Sequence, residues 1–170
     1  MAQRELTSAL GRLLSDRRLR ALHRHDAPAA ARELDLRAAD CAAFAALDPA
    51  QLDEQADALL QKRFYEVAQL LPQTIARLNA TAYARFLDYA GQAWPEGHRR
   101  HWLDALGFGA HLRKARAPEL CRAELHRVAF IAEERRFSIA FVRENSALPK
   151  LQILYRRNGE PRRLGIKLGP

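Results

Sequence analysis

Residues 151–168 read LQILYRRNGEPRRLGIKL, and this stretch decides the fold class of the C-terminal part of the chain. Apolar residues occupy every second position before its Asn158-Gly159 dipeptide, at Leu151, Ile153 and Tyr155, and alternate again after it. A period of two predicts β-strands, and Asn-Gly between two such runs is a strong signal for a tight hairpin turn. The stretch therefore predicts two antiparallel strands joined by a hairpin.

A third alternating run, FSIAFV at 137–142, precedes this hairpin. We therefore predict a three-stranded antiparallel meander within residues 135–170. The apolar face of the meander, with Phe137, Phe141 and Tyr155, is expected to pack on the preceding helices. Two of the three strands must lie at edges of the sheet, where unpaired backbone groups can accept a peptide strand.

Residues upstream of the sheet show helical rather than alternating spacing, so the fold class is α+β: a mainly α-helical bundle followed by the small sheet. Asp16 is a predicted helix N-cap, and Pro28, Pro49 and Pro118 are predicted first-turn residues of helices. We divide the chain into a short-helix module at 1–48, a helical bundle at 49–134 and the β meander at 135–170.

The positive charge of the chain is concentrated near its C-terminus. Residues 1–111 carry 14 Lys and Arg against 14 Asp and Glu, whereas residues 112–170 carry 14 against 6. This asymmetry accounts for the whole net charge of +8 and predicts an anionic partner. The arginines predicted to bind that partner lie in or beside the strands: Arg136, Arg143, Arg156, Arg157, Arg162 and Arg163.

The cysteines and the hydropathy pattern indicate a cytoplasmic protein. Cys41 and Cys121 have no neighbouring cysteine or metal-ligand spacing, which favours reduced, apolar packing residues over a disulfide. No apolar run reaches the length of a membrane span, so no membrane association is expected.

Trp94–Asp104 is the densest polar segment. His98, His101 and Asp104 would share one face of a helix that began near Gly97. A metal site needs three or four convergent ligands at characteristic spacing, and no further ligand is marked elsewhere, so we predict no metal and no cofactor. The cysteines and serines lie in no nucleophile motif, so we predict no catalytic residue and no enzymatic activity of the chain itself.

The same segment is a candidate surface for a protein partner, because tryptophan and arginine are enriched at interface hot spots. The residues predicted for this interface are Trp94, His98, Arg99, Arg100, His101 and Trp102. A core role for both tryptophans fits the sequence as well.

The order of several motifs resembles a group of helical partner proteins encoded beside multinuclear non-heme iron oxidative enzymes, including the partner used in methanobactin biosynthesis. The resemblance covers residues 50–112 and rests on the following stretches: Lys62–Glu66, Leu70–Thr74, Phe86 with Tyr89, Trp94–His98, and Asp104-Ala105. It implies a helical bundle that docks on the iron enzyme as a heterodimer. It also implies that the partner helps to hold a ribosomally made precursor peptide, and that all iron ligands belong to the enzyme.

Two functions follow. The first is a non-catalytic adaptor that binds an iron-dependent peptide-modifying enzyme and presents the precursor peptide, with the arginines attracting an acidic leader. The alternative is nucleic-acid binding by the basic C-terminal surface, which the arginine cluster and a sequence pI of about 10.2 suggest. Some members of the group were also labelled DNA-binding on sequence grounds. Against it stands the expectation that Phe137, Phe141 and Tyr155 are buried. A third interpretation is that the arginines merely solvate the outside of the sheet.

Overall fold

The computed structural model describes residues 5–142 and 150–167, and it confirms the predicted fold class. Short helices lead into a longer helical region, and a three-stranded antiparallel sheet follows at the C-terminal end. None of the helices in these two ranges is both long enough and apolar enough to span a membrane.

The helices and strands have the following bounds: α1 Leu6–Ser15, α2 Arg17–His25, α3 Ala27–Glu33, α4 Cys41–Ala45, α5 Pro49–Leu70, α6 Pro72–Leu78, α7 Ala82–Ala90, α8 Arg100–Lys114, α9 Arg122–Ala132, β1 Phe137–Val142, β2 Lys150–Arg157 and β3 Glu160–Lys167. Short 3-10 turns at Ala38–Asp40 and Asn79–Thr81 precede α4 and α7.

The chain forms two compact units, Met1–Arg63 with Leu87–Trp94, and Phe64–Phe86 with Pro95–Pro170. The boundaries of these units differ from those of the three ranges predicted from the sequence, because α5 and α7 each contribute to both units.

The first unit packs its short helices around a core that includes Leu13, Phe44 and Leu52. The predicted N-cap at Asp16 is confirmed, since its side chain accepts hydrogen bonds from the first-turn backbone of α2. Arg20 is buried in this unit, where it donates to the Leu13 carbonyl and pairs with Asp53 at 3.0 Å. Capping and packing thus act together, because helices this short are not stable in isolation.

The second unit has an aromatic core. The ring of Phe86 lies 5.5 Å from that of Phe64 and 5.7 Å from that of Phe108. Helix α8 meets α9 at Gly109, where a β-carbon would come within 2.4 Å of the Leu125 side chain. The glycine in the middle of α8 therefore has a packing role, which offsets its poor helix propensity.

The last helix begins at Arg122, so the prediction that Pro118 starts it was wrong. The chain first turns at Arg116, which has a φ of 53°, and the backbone at Cys121 is extended. The Cys121 amide donates to the hydroxyl of Thr74 at 3.1 Å. This tertiary hydrogen bond, distant in sequence, holds the segment before α9 outside the helix.

The predicted meander is confirmed, with strand order β1-β2-β3 and with β1 and β3 at the edges. Asn158 and Gly159 both have positive φ, 54° and 81°, as a two-residue type I′ turn requires. The turn fixes the register, in which Arg157 lies opposite Glu160 and Ile153 opposite Leu164.

Candidate functional site

The sheet turns its larger apolar side chains away from the helices. Residues directly opposite one another in an antiparallel ladder share a face, and the register places eight apolar residues together. We call them the outer sheet face: Phe137, Ile139, Phe141, Leu151, Ile153, Tyr155, Leu164 and Ile166. Phe137 is 59% exposed and Phe141 72%. The prediction that this face packs on the helices was therefore wrong.

The opposite face of the sheet packs on the helices instead. Val142 and Leu154 are buried, and Gln152 is buried between them and α9. His126 of α9 contacts the Gln152 side-chain oxygen through Nδ1 at 3.2 Å and the Ser138 hydroxyl through Nε2 at 2.8 Å. This polar bridge between α9 and two strands orients the sheet, and the sequence analysis missed it.

Among the described residues, no strand pairs with the outer edge of β1. The Arg156 amide donates to the Arg136 carbonyl at 3.0 Å, so the pairs that exchange hydrogen bonds with β2 are the even-numbered positions of β1. The amides and carbonyls of Phe137, Ile139 and Phe141 consequently point away from β2. On β3 the corresponding outward position is taken by Pro161, which has no N–H to offer.

A groove lies beside the second half of β1, between this strand and the helices α8 and α9. Its volume is about 460 Å³. The apolar residues that line it are Leu106, Ala110, Leu120, Leu125, Ala129, Ala140, Phe141 and Val142. Arg113, Arg122 and His126 supply its polar groups. An apolar floor with a few polar groups beside an open strand edge suits an extended peptide.

A second depression, the cationic cleft, lies where β1 begins. It has a volume of about 450 Å³ and is lined by Arg99, Trp102, Ile131, Ala132, Glu134, Arg136, Arg156 and Gly159. It brings two residues of the predicted partner interface together with two of the predicted peptide-binding arginines. The hydrogen bond and charge of Arg99 hold the pKa of Glu134 below its ordinary value, and the charge of Arg156 adds to this effect. Three arginines and one glutamate line the cleft, so its lining carries a net positive charge.

Arg156 has a structural role in this cleft. It donates from Nε to the Arg135 carbonyl at 3.1 Å and from Nη1 to the Gly159 carbonyl at 3.0 Å. Its guanidinium lies 5.6 Å from the centre of the Phe130 ring. These neutral contacts fix the side chain without neutralising its charge, so it contributes a preorganised cation.

The structure does not bring together Arg157, Arg162 and Arg163, the other predicted arginines that it describes. Arg162 pairs with Glu160 at 2.9 Å, and both border an open depression at the hairpin together with Arg157. Arg163 is exposed and lies opposite Leu154, so it belongs to the other face of the sheet. Arg143 lies outside the described residues.

The predicted partner-interface segment is divided between the two units. Trp94 belongs to the first unit, where its half-buried ring lies 5.2 Å from the Arg63 guanidinium and close against Gly11. The remaining residues, His98, Arg99, Arg100, His101 and Trp102, belong to the second unit. The ring of Trp102 lies 5.4 Å from that of His101.

The proposed common face of His98, His101 and Asp104 is not formed. Gly97, with a φ of 88°, makes a turn, and α8 begins only at Arg100. His98 is exposed, whereas Asp104 is buried. Within residues 5–142 and 150–167, no group of three or more His, Cys, Asp or Glu side chains could hold a metal ion.

Comparison with known protein families finds a match in the middle of the chain. Residues 38–114 match the family described as SCO6045-like, C-terminal domain, a family of uncharacterised proteins. The match ends where α8 ends, so α9 and the sheet lie outside it. No curated protein matches the chain, and no solved structure does so. Over less than half of its 170 residues, the chain is therefore similar to the SCO6045-like C-terminal domain.

Proposed function

We propose that this chain is a non-catalytic adaptor that binds an extended precursor peptide and presents it to an iron-dependent peptide-modifying enzyme. The observation that carries the proposal is the unpaired edge of β1, which runs from the cationic cleft at Arg136 to the apolar groove at Val142. The iron enzyme as partner comes from the resemblance over residues 50–112.

The edge of β1 offers a peptide its main-chain hydrogen bonds. The six residues Phe137–Val142 span about 20 Å at the rise of a β-strand, enough to pair with a peptide of similar length. Alternate side chains of an added strand would point toward the groove, where apolar residues supply contact area. Main-chain pairing thus gives affinity, and the groove gives preference for particular side chains.

Charge favours an acidic peptide. The cleft combines Arg99, Arg136 and Arg156 with a single carboxylate, that of Glu134, and the groove adds Arg113 and Arg122. Arginines near both ends of the open edge of β1 raise the local concentration of an anionic peptide. When the adaptor holds both the peptide and the enzyme, the two meet within one complex. The effective concentration of the peptide at the enzyme is then on the order of millimolar.

The first test is affinity purification of the tagged chain from its native cells without nuclease. Mass spectrometry identifies co-purifying proteins and peptides, inductively coupled plasma mass spectrometry measures iron, and the ratio of absorbance at 260 and 280 nm reports nucleic acid. We expect a stoichiometric iron-containing enzyme and a small peptide. An eluate with neither, or with nucleic acid alone, would refute the adaptor.

A second test isolates the strand edge. Ile139→Pro removes an outward N–H of β1, and Ile139→Ala shortens the same side chain while keeping that N–H. For the peptide identified by purification, we expect a dissociation constant about 10-fold higher for the proline variant than for the alanine variant, because a neutral hydrogen bond contributes about 0.5–1.5 kcal/mol and the ring blocks close approach. Equal affinities of the two variants would argue against strand addition.

One observation favours nucleic-acid binding as the second candidate. Phe137, Phe141 and Tyr155 are exposed, so the expectation that they are buried, which counted against this function, was wrong. Exposed aromatic side chains on a sheet with Arg162 beside them can stack on single-stranded bases. We nevertheless place it second, because most residues of the outer sheet face are aliphatic. Fluorescence anisotropy of a labelled single-stranded oligonucleotide, titrated at several salt concentrations, measures this binding, which would weaken steeply with salt.

A further inference from the structure

We propose that the outer sheet face is the surface on which the partner enzyme docks. The matching patch on the enzyme has an apolar centre and carboxylates at one end. This inference rests on the proposed function for the identity of the partner. It moves the docking surface away from the Trp94–Trp102 segment suggested by the sequence, to a different set of side chains.

Six of the eight residues of the outer sheet face are exposed. Ile139 is 51% exposed, Leu164 51% and Ile166 44%, in addition to the two phenylalanines. Contiguous apolar patches of this kind are uncommon on monomeric proteins and mark sites of association. Single exposed apolar residues elsewhere, such as Tyr65 on α5, are ordinary and require no such explanation.

The apolar residues of the outer sheet face form one continuous patch. The register aligns three rows across the sheet: Phe137 with Tyr155 and Arg162, Ile139 with Ile153 and Leu164, and Phe141 with Leu151 and Ile166. Eight of these nine positions are apolar, and the ninth is a cation at one corner. A partner that covers the centre of the sheet therefore makes apolar contacts in every row, and among the nine described positions it meets positive charge at Arg162, toward the hairpin end.

The charge at the hairpin end of the outer sheet face indicates which protein binds there. Arg157 and Arg162 lie at the hairpin end of the outer sheet face with Glu160 as their neighbouring carboxylate, which leaves this end cationic. A second copy of the chain would bring another protein with a net charge of +8 against it. A different protein, with carboxylates placed to meet Arg157 and Arg162, gains attraction instead.

The peptide site and the docking surface can be separated experimentally because β3 is the strand farthest from the open edge of β1. We would change Leu164 of β3 to Glu and, in a second variant, to Lys. The matched control is Leu87→Glu on α7, at another exposed leucine. Circular dichroism and thermal unfolding establish that each variant is folded.

Affinity for the purified iron enzyme and for the precursor peptide is then measured by isothermal titration calorimetry. For Leu164→Glu we expect at least a 30-fold loss of affinity for the enzyme, a smaller loss for Leu164→Lys because the partner is acidic, and a change below 2-fold for Leu87→Glu. Peptide affinity should be unchanged in all three variants.

Other outcomes show whether the proposed function or the docking inference is wrong. If the wild-type chain binds neither enzyme nor peptide, the proposed function fails. If the enzyme binds the wild type and Leu164→Glu equally well, the docking inference alone fails. A loss of enzyme affinity in a further variant, Leu103→Glu, would then place the interface at the start of α8. If sedimentation shows a wild-type dimer that Leu164→Glu dissociates, the face belongs to a second copy, which also overturns the inference.

Discussion

Removing the Glu124 carboxylate should destabilise the second unit more than removing an exposed glutamate. Glu124 lies in α9, is only 4% exposed, and accepts three hydrogen bonds at the start of α6. The donors are the amide of Gln73 at 2.7 Å, the amide of Thr74 at 2.9 Å and the hydroxyl of Thr74 at 2.9 Å. Glu124 therefore caps a helix that lies about 50 residues away in the sequence.

The expected cost follows from these contacts. Glu124→Ala leaves two backbone amides and a hydroxyl without their acceptor, and each buried unsatisfied group costs about 1–3 kcal/mol. Because the Gln73 site is only partly buried and water can reach it, we expect a total of about 3 kcal/mol. For a chain of this size, that corresponds to a fall in Tm of about 6–12 °C.

Chemical denaturation, monitored by circular dichroism, measures the free energy of unfolding. Glu54→Ala, at an exposed glutamate of α5, is the matched control and should stay within about 0.5 kcal/mol of wild type. Glu124→Gln retains one acceptor oxygen and should fall between the wild type and Glu124→Ala. A loss below about 1 kcal/mol for Glu124→Ala would refute the assignment of this carboxylate as a tertiary helix cap.

Three further predictions concern packing, turn geometry and pH. Gly109→Ala should destabilise the protein by about 1–2 kcal/mol in denaturant unfolding, because the new β-carbon meets Leu125; in a Leu125→Ala background the same change should be neutral or stabilising. Gly159→Ala should cost about 1 kcal/mol in the same assay, since its φ of 81° disfavours a side chain. Arg99 holds the pKa of Glu134 below its ordinary value of 4.5, so the stability from this pair is complete above that value and is lost as pH falls through the lowered pKa. The Tm of Glu134→Gln should therefore fall slightly less than that of the wild type when the pH is lowered from about 7 to about 3. An equal fall in both proteins would contradict this linkage.

Local sequence signals predicted the elements of this fold well. Asn158-Gly159 and the alternating runs around it are short-range patterns, and they predicted the hairpin and the three strands. The cap at Asp16 is equally local, since the side chain bonds to amides two and three residues ahead. Such features depend on few neighbours and can be read from one segment at a time.

The choice of buried sheet face could not be read in this way. Both faces carry apolar residues, with Leu154 and Val142 on one and Phe137 and Phe141 on the other. Which face packs inward is decided by the helices beneath it, and in particular by His126, which contacts two strands. The groove beside β1 and the cationic cleft depend on the same packing of the helices against the sheet. The sequence therefore indicated the positive charge of this region but not the positions of the groove and the cleft.

The most direct test of strand addition is amide hydrogen exchange by NMR, with and without the precursor peptide that co-purifies with the chain. We predict that the outward amides of Ile139 and Phe141 become protected when the peptide binds, while the outward amide of Arg163 on β3 keeps its exchange rate. Protection on β3 instead of β1, or unchanged exchange along both edges with the peptide bound, would contradict it.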